Sequence, residues 1–147
     1  MGKKKARREI PLFDHPIIET HCHLDYLDAN DLATTLQRCE EVGIERIITI
    51  AVSPDNLDRV LELATSTDII WGTQGIHPHE AEKYSEAVGE TIRSRQALPR
   101  MVAVGEIGLD YYYDHADRQV QRQVFEQQLQ IAIDTDMPVV IHTREAD

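Results

Sequence analysis

Arg46-Ile47-Ile48-Thr49-Ile50-Ala51-Val52, followed at once by Ser53-Pro54, is the stretch on which the fold turns. Its β-branched, apolar run fits a strand buried on both faces, the condition of strands in parallel sheets. Ser53 and Pro54 then open a helix, the serine as its cap and the proline at its first position. Leu57, Val60, Leu61 and Ala64 recur as that helix's inner stripe. The same alternation extends in both directions. Toward the N-terminus, Pro16-Ile17-Ile18-Glu19-Thr20-His21 reads as a strand, and Leu32, Leu36 and Cys39 recur at helical spacing until Gly43. Toward the C-terminus, Ile69 to Gly75 forms a third strand leading into His77-Pro78-His79, and a long polar helix ends before Pro99. Met101 to Glu106 is a fourth strand. Asp117 to about Asp134 is a helix with Val124, Phe125, Leu129, Ala132 and Ile133 facing inward, and Pro138 to His142 is a fifth strand.

Strands alternating with helices imply βαβ units, a mostly parallel sheet and right-handed crossovers. The chain is thus α/β, with about five parallel strands and four helices. A closed (β/α)8 barrel takes about 250 residues, and 147 are too few to close one. A hydrophobic share of 41% with 28% charged residues indicates a soluble globular chain. No apolar run approaches the roughly eighteen residues of a membrane span. Met1 to Arg8 is basic without an apolar signal region behind it, and Cys22 and Cys39 form no CxxC pair. A cytoplasmic location is therefore expected. Residues 1–15 read as a basic, flexible tail and 16–147 as the folded part. The run Lys3-Lys4-Lys5-Ala6-Arg7-Arg8 suits a solvated tail, an auxiliary phosphate contact or an address signal. The formal net charge of −11 argues against holding nucleic acid on a broad basic face. It leaves room for an enzyme that meets phosphate through bound metal ions.

The polar residues that stand out fall at the carboxyl ends of strands, where parallel α/β folds build their sites. His21 and His23 follow the first strand, His77 the third, Glu106 the fourth and His142 the fifth. In His21-Cys22-His23 alternate side chains share one direction, so both imidazoles can face one metal ion. A surface pair or a structural pair reads the same way. Glu106, in Val104-Gly105-Glu106-Ile107-Gly108-Leu109-Asp110, is a carboxylate at the end of an apolar strand and needs a partner. A metal, a salt bridge or a helix cap would each serve. Gly105 and Gly108 would let the backbone turn tightly around it. His142 ends another buried strand as a ligand or a core histidine, and Arg144 beside it could grip a phosphate. His77 and His79 flank a stiff Pro78 and face either substrate or solvent. Asp110 and Tyr111-Tyr112-Tyr113 line a pocket, stack on bases or pack the loop. Cys22 alternates away from the histidines, as a buried structural thiol would.

Glu19-Thr20-His21-Cys22-His23-Leu24-Asp25, Gly75-Ile76-His77-Pro78-His79, Gly105-Glu106-Ile107-Gly108-Leu109-Asp110-Tyr111 and Ile141-His142-Thr143-Arg144-Glu145-Ala146 together resemble, in order and spacing, the signatures of TatD-family metal-dependent hydrolases. The resemblance covers residues 17–147. It implies the N-terminal portion of a (β/α)8 TIM-type barrel of the amidohydrolase kind, with the C-terminal strands absent. It also implies two divalent metal ions (magnesium, manganese or zinc) and DNA as substrate, trimmed from the 3′ end. By the same resemblance His21 and His23 hold one metal, His142 holds the second, and the catalytic Glu106 bridges both. His77 and Arg144 would lie near the substrate phosphate. Glu19 stands where the family usually has aspartate. A further metal histidine after a sixth strand and an aspartate after an eighth belong to the family but to no strand of this chain.

The implied reaction is phosphodiester hydrolysis by two-metal activation of water. Cleavage of an amide or ester in a small molecule or an aminoacyl-tRNA is the alternative on the same scaffold, and a catalytically incomplete fragment is a third. An incomplete barrel also exposes an open sheet edge, so self-association or pairing with a missing C-terminal half is expected.

Overall fold

The computed structural model describes Ala6 and Arg8–Asp147. The remainder of the basic run read as a tail lies outside the described residues. Five parallel strands, β1 (Ile17–Cys22), β2 (Ile44–Thr49), β3 (Ile70–Gln74), β4 (Met101–Asp110) and β5 (Val139–Arg144), pair in the order β1-β2-β3-β4-β5. Four helices, α1 (Ala29–Glu41), α2 (Leu57–Ser66), α3 (Glu86–Arg95) and α4 (Arg118–Thr135), connect successive strands. This is a half-barrel, the N-terminal part of a (β/α)8 arrangement. No helix among the described residues is long and apolar enough to cross a membrane.

The core lies between sheet and helices. Leu57 and Val60 of α2, Ile92 of α3 and Ile131 of α4 meet Ile76, Val104 and Ile107, all buried. A second cluster joins Ile47, Leu63, Ile70 and Met101 beneath α1, whose Leu32, Leu36 and Cys39 are only partly covered. At the two edges of the sheet, Ile18 of β1 and Ile141 of β5 are each about half exposed, at 52% and 51%.

Several local expectations are corrected by side-chain hydrogen bonding. Ser53 does not cap α2. The Asn56 side chain accepts from the backbone N–H groups of both Val52 and Ser53, at 3.0 and 3.1 Å, and folds residues 53–56 into a turn that delays the helix to Leu57. The polar segment before Pro99 is two elements. A 3-10 helix (Pro78–Lys83) is followed by α3, which restarts at a Ser85 cap accepting from Val88 N–H. In α4, Ile133 is 71% exposed, whereas Gln121 and Gln128 are buried. β4 runs on through Gly105 and Gly108 to Asp110, so these glycines do not make a turn. A Cβ on Gly105 would lie 2.6 Å from that of Val140, and one on Gly108 would collide with the His142 carbonyl. Gly108 also has φ of +146°, so both serve the close approach of β4 to β5.

The buried glutamines tie strand ends to α4. Gln128 accepts from Ile76 N–H at 2.7 Å and donates to the Ile76 carbonyl at 3.1 Å. Gln121 does the same for Asp110, at 2.8 and 3.1 Å. Removing the amide while keeping the bulk, as in Gln128→Met, strands two buried backbone groups. It should destabilise the chain by about 2–4 kcal/mol. Gln119→Met, on the exposed face of the same helix, should change stability by less than about 0.5 kcal/mol. Urea denaturation of the two variants checks this, and equal effects would refute it.

Candidate metal centre

Each site residue is delivered by a strand end. His21 is the penultimate residue of β1 and His23 follows the strand, His77 lies just beyond β3, and Glu106 and His142 stand within β4 and β5. The β4–β5 register shifts between Gly105 and Ile107, so Glu106 has no partner on β5. Its N–H donates at 2.8 Å to the carbonyl of Ala51, just after β2. A bulge of this kind re-aims a side chain, and here it turns the carboxylate toward the rim of the sheet.

Glu106 is 7% exposed and surrounded by imidazoles. Its Oε2 lies 3.3 Å from His21 Nε2, and its Oε1 lies 3.3 Å from His142 Nδ1 and 3.8 Å from His77 Nε2. One carboxylate thus presents a different oxygen to each side. His23 stands edge-on to His21, with ring centroids 5.4 Å apart. Its Nδ1 is 3.2 Å from the Ile50 carbonyl, which can only accept, so Nδ1 carries the proton and Nε2 keeps its lone pair. Nitrogens so arranged are what a metal ligand offers. Ligand atoms of His21, His23 and Glu106 lie within 4.8 Å of one another. A cavity of about 290 Å³ opens over them, with Tyr26 and Glu80 on its wall. A buried anion beside uncommitted imidazole nitrogens fits a divalent cation in both charge and ligand type.

His77 is different. The backbone N–H of His79 donates to its Nδ1 at 3.0 Å, so the ring proton sits on Nε2 and points toward Glu106. Burial, with the neighbouring His142 and His79, lowers its pKa to about 3, and the ring is neutral at pH 7. Arg144 is exposed and makes no contact with Glu106. Its guanidinium packs over the rings of Tyr112 and Tyr113, 4.1 and 4.9 Å from their centroids. Burial raises the Cys22 thiol to about 12, with Glu19 adding to the effect, which leaves it an inert thiol.

The family model of TatD related DNase matches residues 18–147, almost the whole chain. The chain belongs to the TatD related DNase family. It is 38% identical over 132 residues to the metal-dependent hydrolase YjjV of Escherichia coli K12, covering 86% of this chain and 50% of that protein. It is 34% identical over 119 residues to the 3′-5′ ssDNA/RNA exonuclease TatD of Erwinia tasmaniensis, covering 80% of this chain and 46% of that protein. It is 35% identical over 147 residues to the human 3′-5′ RNA nuclease TATDN2, covering 93% of this chain and 19% of that protein. The crystal structure of Escherichia coli YjjV superposes with a TM-score of 0.80 at 35% identity, covering 87% of this chain and 51% of that one. The chain therefore spans about half the length of bacterial relatives it matches.

Within this TatD half-barrel, five of the six sequence-derived residues, His21, His23, His77, Glu106 and His142, converge on one point, and Arg144 stays at the rim. Two residues with a larger part than the sequence suggests are Asp110 and His79. Asp110 is fully buried, with Oδ2 2.8 Å from His142 Nε2 and 2.9 Å from His79 Nε2. Burial pushes its pKa up, but hydrogen bonds from Tyr113 N–H, His142 and His79 outweigh this and hold it well below the usual carboxylate range. The four-residue step from Glu106, an even number on a strand, is the signal that could have found it.

The His77 shift has a defined sign. Unfolded, this histidine titrates near 6.5, and folded near 3, so the unfolded state binds the extra proton between these values. Stability of the metal-free chain therefore falls as pH drops from about 6.5 toward 3, and Asp110 adds a loss below about 4. His77→Gln cannot take up that proton, so its Tm should fall less steeply between about pH 6.5 and 4.5. Parallel Tm profiles for wild type and H77Q would contradict the assignment.

Proposed function

We propose that this chain carries the metal-holding half of a nuclease site that hydrolyses phosphodiester bonds, removing nucleotides from the 3′ end of single-stranded DNA. The observation that carries the reading is Glu106, whose two carboxylate oxygens face separate histidines, His21 on one side and His142 on the other. His21 and His23 would hold one divalent ion, His142 a second, and Glu106 would bridge the pair. Nuclease activity in two of the relatives, the Erwinia tasmaniensis TatD and human TATDN2, supports the substrate class. Divalent ions held there would lower the pKa of water toward about 7, supplying a nucleophile at neutral pH, and would draw charge from phosphate oxygens.

The protein's own groups do the rest. Glu106 and the histidines set where the cations sit. His77, neutral and protonated at Nε2, offers a hydrogen bond to a phosphate oxygen and keeps no charge of its own to repel the metals. Arg144, braced by Tyr112 and Tyr113, supplies a cation at the rim for a neighbouring phosphate. With a net charge of −11, the chain has little general attraction for a polyanion, so these local positive groups carry the encounter.

The test is degradation of a 5′-labelled single-stranded DNA by the chain with magnesium or manganese, beside Glu106→Gln. Stepwise shortening from the 3′ end, reduced at least about 100-fold in the near-isosteric variant, is expected. A wild-type chain that binds metal and leaves DNA intact while cleaving an amide or small ester would overturn the nuclease reading. An E106Q chain as active as wild type would remove Glu106 from the machinery.

A further inference from the structure

We propose that Asp110 is a positioning residue that fixes the tautomer of His142, so that Nδ1 is the nitrogen offered to a divalent ion beside Glu106. The inference rests on the metal-holding role of Glu106 and His142 argued above. Asp110 itself would touch no metal ion, because it meets His142 on the far side of the ring from Glu106.

Every oxygen lone pair on Asp110 has an assigned direction. Oδ1 accepts from the backbone N–H groups of Tyr112 and Tyr113, at 3.1 and 2.9 Å. Oδ2 faces His142 Nε2 at 2.8 Å and His79 Nε2 at 2.9 Å. An ionised carboxylate can only accept, so both ring nitrogens must donate. A neutral His142 therefore carries its proton on Nε2, and its lone pair lies on Nδ1, 3.3 Å from Glu106 Oε1. The opposite tautomer would set the Nε2 lone pair against the carboxylate and leave Nδ1 with a hydrogen where a cation should bind.

The carboxylate is not free to follow the ring. Asp110 is the last residue of β4 and has no exposed surface. Gln121 holds its backbone by two hydrogen bonds, and the turn amides of Tyr112 and Tyr113 hold its side chain. Rigid support of this kind commonly tunes ligand affinity by about 10–100-fold.

The same hydrogen bonds decide the chemistry of a second histidine group. Ligand atoms of His77, His79 and His142 also come within 4.8 Å of one another. His77 Nδ1 is occupied by the His79 N–H, and Nε2 of both His79 and His142 by Asp110. Of the three rings it is His142 that turns a lone pair, on Nδ1, toward Glu106, so the group belongs to the centre there and is not a separate metal site.

Asp110→Asn tests this, because it preserves shape and reverses one partner. The amide oxygen can still accept from Tyr112 and Tyr113, while the amide nitrogen now donates toward His142 Nε2 and drives the ring proton to Nδ1. Long-range ¹H–¹⁵N spectra of the metal-free chain should show His142 protonated at Nε2 in wild type and at Nδ1 in D110N. Calorimetric titration with manganese alone should show affinity reduced about 10–100-fold in D110N. A wild-type His142 protonated at Nδ1 would overturn the proposal without recourse to any variant. Manganese binding to wild type and D110N with equal affinity would overturn it while leaving the metal-centre reading intact. Wild type that binds no manganese, zinc or magnesium would overturn both.

Discussion

The burial of the Glu106 carboxylate is the constraint on which the rest of this structure depends. An ionised carboxylate removed from water is costly unless hydrogen bonds or opposite charge compensate it. Among the described residues the side-chain nitrogens within 4 Å of it belong to His21, His77 and His142, and no lysine or arginine reaches it. One of these is already spoken for: His77 is held neutral by its burial. The arginine closest in sequence to the histidines, Arg144, is engaged by two tyrosine rings. The charge is therefore left open on one side, toward a cavity walled by imidazoles, and a divalent ion meets that need more fully than any side chain in reach.

Holding such a group in place takes a scaffold that does not relax around it. α4 provides it with two glutamines seven residues apart, two turns along one face. Gln128 clamps Ile76, next to His77, and Gln121 clamps Asp110, which in turn clamps His79 and His142. On the other side of the centre, Thr49 accepts from Leu24 N–H, and Thr73 links Ala51 N–H to the Gly105 carbonyl. The ends of all five strands are thus joined through buried polar side chains, beyond the ladder itself. The site gains its geometry from these cross-links, because each is satisfied at both ends and shifting one would strand another.

How much of this is legible in the sequence follows from the range over which each feature is decided. The strands at Ile47, Ile70 and Val139 and the convergence of His21, His23, Glu106 and His142 are local or topological facts. Apolar runs fix the strands, and parallel order puts their carboxyl ends on one side. What escapes is decided by partners distant in sequence. Gln121 and Gln128 fall outside the apolar stripe of Val124, Phe125, Leu129, Ala132 and Ile133, and only the strand ends beneath them show why they are buried. Ile133 reads as core by the same pattern and faces outward, since the helix turns its glutamines to the sheet. Gly105 and Gly108 announce an unusual backbone, but whether it turns or lets a neighbouring strand come close depends on β5, more than thirty residues later.

The tautomers of the histidines are the last level, and sequence holds almost no information about them. His23, His77 and His142 are the same residue type at the same rim, yet their ring protons sit on Nδ1, Nε2 and Nε2 respectively. A carbonyl, a backbone N–H and a carboxylate set them apart. Those protons sort the residues by role. His23 and His142 keep a lone pair facing the centre and can act as ligands, whereas His77 presents a hydrogen and can act only as a donor. Residue type and strand position select the candidates for a metal site. The hydrogen bond on the far side of each ring decides which of them turns a lone pair toward the centre and which turns a hydrogen.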